Sequence, residues 1–396
     1  MDPIYPTQRR KWSWLAIAIL ALPALALFGY SFAHPGIKGK DDRLIPVVAA
    51  QKSAPPPASP WTMQESGTTA GLRGIYSVDG KIAWASGTVG TVLRTIDGGE
   101  HWQKCAVPDG DKDGATLDFR GVQAWDEKTA MVMASGPGEK SRLYRTDNAG
   151  QSWTLLAKNE DKDGFWDAVS WVPTEGRPQI LILGDPVNSR FVFEDIQLDG
   201  SKLRSLAEKD SLQADANSGA FAASNSSFAY GAMTGKLVGI LGTGGQSGAA
   251  IYRTNLPVTH SQGIASGTRW QRIPVPLAGA NASSGVFSVK FGEGVNVVAV
   301  GGDYAKPVES LGTAAYSKDA GLHWIAAIKP PHGYRSSVAW SDELKAWVAA
   351  GTNGSDISRD DGKTWQPLDD GNWNALSLPF VVGPKGRIAR LSLLGK

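Results

Sequence analysis

The sequence predicts an all-β fold, a seven-bladed β-propeller with Asp-box turns, preceded by an N-terminal membrane or signal helix. Three observations lead there. A turn motif of the form Ser/Thr-x-Asp-x-Gly-x-x-Trp recurs along the chain. Short runs of alternating apolar and polar residues precede its copies, the pattern of half-buried strands. The composition, 47 Gly, 23 Pro and 15 Trp in 396 residues, favours turns and strands over long helices.

The motif is clearest at Thr95-Ile-Asp97-Gly-Gly99-Glu-His-Trp102 and recurs at Ser317–Trp324 around Asp319 and at Ser358–Trp365 around Asp360. A fourth copy, Thr146–Trp153, places Asn148 where Asp is expected, and a degenerate fifth keeps only Gly267 and Trp270. The chemistry is that of a hairpin. The Asp carboxylate accepts from backbone amides of its own turn, and Gly supplies the positive φ. Trp102, Trp153, Trp324 and Trp365 then start the next strand and fill the layer between neighbouring sheets. The box carboxylates are therefore read as turn staples and not as catalytic acids.

One unit reads strand, strand, strand, box, strand, as in a propeller blade. Units fall near 71–105, 119–156, 165–206, 219–273, 285–328 and 334–368. The last, from Asn372 to Leu394, has room for only three strands, and a strand around Trp61 would supply its outer edge. That closure would remove the free edges of an open ring. The propeller is expected to span 61–396 and to be monomeric.

Beyond the boxes, the chain carries Leu117-Asp-Phe-Arg-Gly-Val122, Gly136-Pro-Gly-Glu-Lys-Ser-Arg142, Gly184-Asp-Pro-Val187, Gly301-Gly-Asp-Tyr304 and Gly333-Tyr-Arg-Ser336. Together these resemble the photosystem II stability/assembly factor propellers, which share Asp-box (BNR) repeats with sialidase-like propellers, and in particular their homologues in non-photosynthetic bacteria. The resemblance runs from Trp61 to the end. It implies a seven-bladed propeller that binds a protein partner in an extracytoplasmic compartment, and it implies no photosystem here.

Propeller function usually lives where the innermost strands begin. Aligned strand starts give Arg73, Arg120, Trp166, Phe221, Phe287, Arg335 and Trp373, three arginines and four aromatics around one channel mouth. Loops with Asp185, Asp303, Tyr304 and His332 should flank it. Guanidinium forks beside aromatic faces suit a carboxylate or an acidic peptide segment of a protein partner. The competing reading is that these side chains only pack against neighbouring strands.

Sialidases use three arginines, so an enzyme reading competes with the binding one. The characteristic Arg-Ile-Pro occurs only at Arg272-Ile-Pro274, after an outer-strand Trp. A glycan-binding or glycoside-hydrolysing propeller, with a carboxylate pair such as Asp185 and Asp303, stays as the alternative. Asp109-Gly-Asp111-Lys-Asp113-Gly114 opens like a calcium loop, but Arg120 stands where the bidentate Glu belongs, leaving a calcium candidate without an EF-hand. No other cofactor is expected. A net charge of +2 and the lack of a basic stripe speak against nucleic acid. The single Cys105 excludes an intrachain disulfide.

The first 60 residues read separately. Arg9, Arg10 and Lys11 precede an apolar run over 12–32, the form of an export signal. Residues 1–33 are a signal peptide, cut after Ser31-Phe-Ala33, or an uncleaved anchor in the inner membrane. The Pro/Ala-rich stretch within 34–60 is a semi-rigid linker. The protein is expected to be exported to the periplasm.

Overall fold

The computed structural model describes residues 59–172, 179–197, 204–205, 212–233, 236–256 and 269–392. The expected export segment and nearly all of the linker lie outside them. Among the described residues there is no α-helix, only single 3-10 turns at Gly114–Thr116 and Gly138–Lys140. No helix there is long and apolar enough to cross a membrane.

The strands form antiparallel sheets in sequence order. The first runs Leu72–Ser77, Ala83–Gly87, Val92–Thr95, Gln103–Lys104, and comparable four-stranded sheets cover 119–158, 166–205 and 337–369. The two runs 228–274 and 284–326 are joined into one larger sheet where Gly244 pairs Gly285. In the last sheet Ala375–Ser377, Phe380–Val382 and Ile388–Leu391 are completed by Trp61–Gln64, in register Trp61 to Leu391.

The core lies between the sheets. One cluster packs Trp84 and Val92 of the first sheet against Phe119, Val132 and Tyr144 of the next. Similar clusters follow at each consecutive pair, and one unites Phe380, Val382 and Ile388 with Leu72, Ala85 and Leu93, joining the last sheet to the first. The chain is thus an all-β propeller whose apolar strand faces are covered on both sides by neighbouring sheets.

The box turns explain their own sequence. Thr95 Oγ1 donates to Asp97 Oδ1 at 2.8 Å and accepts from Gly99 N–H at 2.9 Å, while Asp97 Oδ1 accepts from His101 N–H at 3.0 Å. The same set recurs around Asn148, Asp319 and Asp360. Asn148 works because only its carbonyl oxygen is needed. Two successive residues take positive φ in each turn, the second always Gly. The box tryptophans reach back to the preceding sheet. Trp365 is fully buried among Val298, Val300 and Tyr316, and Trp102 lies edge-on to Phe380 at 5.7 Å. Asp360→Ala should remove the bonds to Ser358, Thr364 N–H and Thr364 Oγ1, lowering the unfolding free energy by about 1–3 kcal/mol in chemical denaturation.

Candidate functional site at the channel mouth

The innermost strands share one irregularity that builds the mouth. Pairing slips by one residue between Leu72 and Gly74, between Phe119 and Gly121, between Trp166 and Ala168, and between Val286 and Ser288. Each slip is a β-bulge, which re-aims the extra side chain. The bulge residues are Arg73, Arg120, Asp167 and Phe287. The residue before each, Leu72, Phe119, Trp166 or Val286, is fully or almost fully buried between sheets.

Backbone bonds extend the equivalence. Leu72, Arg335 and Trp373 each donate N–H to a glycine carbonyl of the preceding sheet, Gly383, Gly301 and Gly351 respectively. Arg335 and Trp373 therefore stand at the buried position, and Ser336 and Asn374 at the position of Arg73. This corrects the aligned ring. Trp166, Arg335 and Trp373 are 0%, 0% and 1% exposed and do not face the mouth. A slip of one residue along a strand exchanges its faces.

Arg335 is occupied. Its Nε donates to Asp356 Oδ2 at 2.6 Å, and its Nη1 donates to Tyr334 O and Asn353 Oδ1. His332 joins the same cluster through Nδ1 and Asp356 Oδ1, 2.8 Å apart. Asp303 staples its own loop, accepting from Asn281 Nδ2 at 3.1 Å and Ala305 N–H at 2.9 Å.

Arg73 and Arg120 do come together. Arg120 pairs with Asp118 at 2.8 Å, donates to Ala222 O at 3.3 Å and keeps 27% of its side chain exposed. Arg73 makes no hydrogen bond and no direct ion pair among the described residues, and its buried Nε has no partner. Burial first, then the Arg120 charge, push its pKa below the ordinary arginine value. Arginine nevertheless stays protonated, so two guanidiniums share one enclosure with a single direct carboxylate partner. Phe221 stacks on Phe287 at 3.8 Å, Tyr334 meets Phe287 edge-on at 4.8 Å, and Tyr304, 46% exposed, approaches it at 6.0 Å.

Asp167 and Asp185 lie behind Arg120. Burial, then the Asp185 charge, hold Asp167 well above the usual carboxylate range, and burial lifts Asp185 to about 6. Asp185 Oδ1 accepts from Ala220 N–H at 3.0 Å. Asp167 was not singled out from sequence. The signal for it is the triplet Trp166-Asp-Ala168, which matches Leu72-Arg-Gly74 and Phe119-Arg-Gly121 once the bulge is the anchor.

Segment 220–227 closes the floor. Asn225 exchanges hydrogen bonds with Val169 N–H and C=O, Ser224 Oγ donates to Ser336 O at 2.7 Å, and Ser226 Oγ donates to Ser288 Oγ at 2.7 Å. It thereby ties together sheets on several sides of the channel.

The calcium candidate is also corrected. Arg142 grips Asp113 through both guanidinium ends at 2.6 and 2.8 Å, and Asp109 accepts from Tyr144 Oη at 2.8 Å. Asp111 is exposed. An arginine holds the place a cation would take.

No protein-family model matches the sequence, and no curated protein matches it. Solved structures do. One, YCF48 bound to D1 peptide, is similar at 16% identity with a TM-score of 0.54, covering 84% of this chain and 97% of that one. YCF48 from Cyanidioschyzon merolae is similar at 17% identity and a TM-score of 0.54, covering 84% of this chain and 99% of that one. At these identities the likeness shows the fold.

Proposed function

We propose that this chain is a seven-bladed, extracytoplasmic binding scaffold that docks an acidic segment of a protein partner, or its terminal carboxylate, at the Arg73–Arg120 mouth. The observation that carries the reading is Arg73, a guanidinium near that of Arg120 that has no bonded partner of its own among the described residues. A ligand carboxylate would relieve that repulsion by pairing with the guanidinium forks. Exposed Tyr304 and the partly exposed Phe221, stacked on the buried Phe287, offer an apolar wall to the adjoining peptide side chain. A protein or peptide ligand also agrees with the neighbour solved with a bound peptide.

Binding of fluorescein-labelled acidic peptides, each with a free or an amidated C-terminus, tests this on the full chain. The variant carrying Arg73→Gln and Arg120→Gln should bind at least tenfold more weakly and with a shallower salt dependence. Unchanged affinity in that variant would sink the reading. For the compartment, a reporter fused after Pro60 should be active only if it is of the kind that works outside the cytoplasm; activity of a cytoplasmic reporter would reverse the assignment.

One observation favours a second reading. The Asp167–Asp185 pair, with raised pKa values beside Arg120, is what a glycan-cleaving propeller would need. Fluorogenic sialosides and glucosides decide it, since turnover lost in Asp185→Asn would establish hydrolysis.

A further inference from the structure

Beneath the floor formed by 220–227 lies a cavity of about 400 Å³, separate in its lining from the arginine mouth. Its size falls within the ~300–1,000 Å³ usual for small-molecule sites. The innermost strands wall it, and the walls carry one charge, Lys290, with no carboxylate among the described residues. Lys290 is surrounded by the sheets yet exposed to the space they enclose. It has no hydrogen bond or ion pair among the described residues, and burial pulls its pKa below the ordinary lysine value. No carboxylate of the wall offsets that charge, so the space the strands enclose carries a positive potential that favours an anion. Among the described residues, the hydroxyls of Tyr76 and Tyr230 and the Gln123 side-chain amide, also on the wall, make no hydrogen bond. Trp171 and Trp340 complete an aromatic lining, and Trp340 and Leu378 also line a neighbouring groove of about 620 Å³.

We infer that this lower cavity is a second binding site, for a small monocarboxylate whose apolar or aromatic body packs between the ring faces while its carboxylate meets Lys290. One ammonium matches one negative charge, and tyrosine hydroxyls and an amide can donate to the remaining lone pairs. A doubly charged phosphate would leave one charge uncompensated. The site shares no charged residue with the mouth, so it stands or falls independently of the partner-docking reading.

Titration of the full chain with sodium benzoate, read by tryptophan fluorescence and calorimetry, tests the inference. Benzoate should bind saturably, with benzamide and inorganic phosphate at least tenfold weaker. Lys290→Met and Lys290→Gln should each weaken benzoate at least tenfold, while the Arg73→Gln, Arg120→Gln variant should bind it unchanged. Should both lysine variants fail to fold, protection of Lys290 from reductive methylation by benzoate in the unsubstituted protein, read by mass spectrometry, gives the same answer. The inference is overturned by no saturable benzoate binding, by phosphate binding more tightly, by lysine variants that bind as the parent does, or by unprotected Lys290.

Discussion

Asp356→Ala is expected to lower the unfolding free energy by about 3–5 kcal/mol. Asp356 and Arg335 are both fully buried and directly paired, with Nε to Oδ2 at 2.6 Å. Removing the carboxylate leaves a guanidinium inside the protein with no anionic hydrogen-bond partner, its remaining contacts being Tyr334 O, Asn353 Oδ1 and the His332 ring. The cost is that of an uncompensated charge, not of the pair itself. Replacing both partners, as Arg335→Met with Asp356→Leu, should therefore recover most of the loss in urea denaturation. The cluster also sets a pH window. Burial works to raise Asp356, but the His332 hydrogen bond and the Arg335 charge hold it below the ordinary carboxylate value. Its contribution is present above about pH 4 and lost as pH falls through the depressed pKa. The Asp356 hydrogen bond raises His332, whose contribution is complete below about pH 6.5 and lost as pH rises through its folded value. Stability from this cluster should peak between those limits. A loss below about 1 kcal/mol in Asp356→Ala would show that water reaches Arg335 and that the pair is not structural.

The fold was legible because the box writes its own geometry into the sequence. Ser/Thr, Asp or Asn, and Gly at fixed offsets are the groups that make the turn's hydrogen bonds and take its positive φ. The sheet-filling tryptophans follow at a constant distance. The mouth was legible only in part, and the reason is local. A bulge inserts one residue, so alternation counted from the strand start drifts by one position where it matters most. At Arg73 and Arg120 the aligned strand start coincides with the bulge, each lying between a large apolar residue and a Gly. At Trp166, Arg335 and Trp373 the aligned start falls one residue early, on the buried side chain, and the mouth position belongs to Asp167, Ser336 and Asn374. Lys290 gave no signal at all. A lone lysine near a strand end reads as a solvated charge until the neighbouring strands close around it. The Arg142–Asp113 pair was equally hidden, since nothing in an Asp-Gly-rich loop shows which cation will neutralise it.

Asp185→Asn should make the protein more stable at pH 8 and leave it unchanged near pH 4. The sign follows from protons bound. Burial lifts Asp185 to about 6 in the folded chain against 3.8 for the free side chain, so the folded state holds a proton that the unfolded chain has released. Stability therefore falls as pH rises through that window, by on the order of 1–3 kcal/mol. Asn removes the titration and keeps an oxygen for the Ala220 N–H bond. Asp167, also raised by burial and by the Asp185 charge, adds to the loss in the same direction. Melting curves of the parent and the variant, taken from pH 4 to pH 8, should converge at the acid end and diverge at the other. The same protons bear on ligand capture, because an ionised pair beside Arg120 competes with any incoming anion for the mouth's positive field. Acidic peptides should accordingly bind the parent more tightly at pH 5.5 than at pH 8, and Asp185→Asn should flatten that dependence. A parent whose peptide affinity and melting point are both level across this range would mean that the two carboxyls do not share a dry site, and the mouth's electrostatics would have to be rebuilt from Arg73, Arg120 and Asp118 alone.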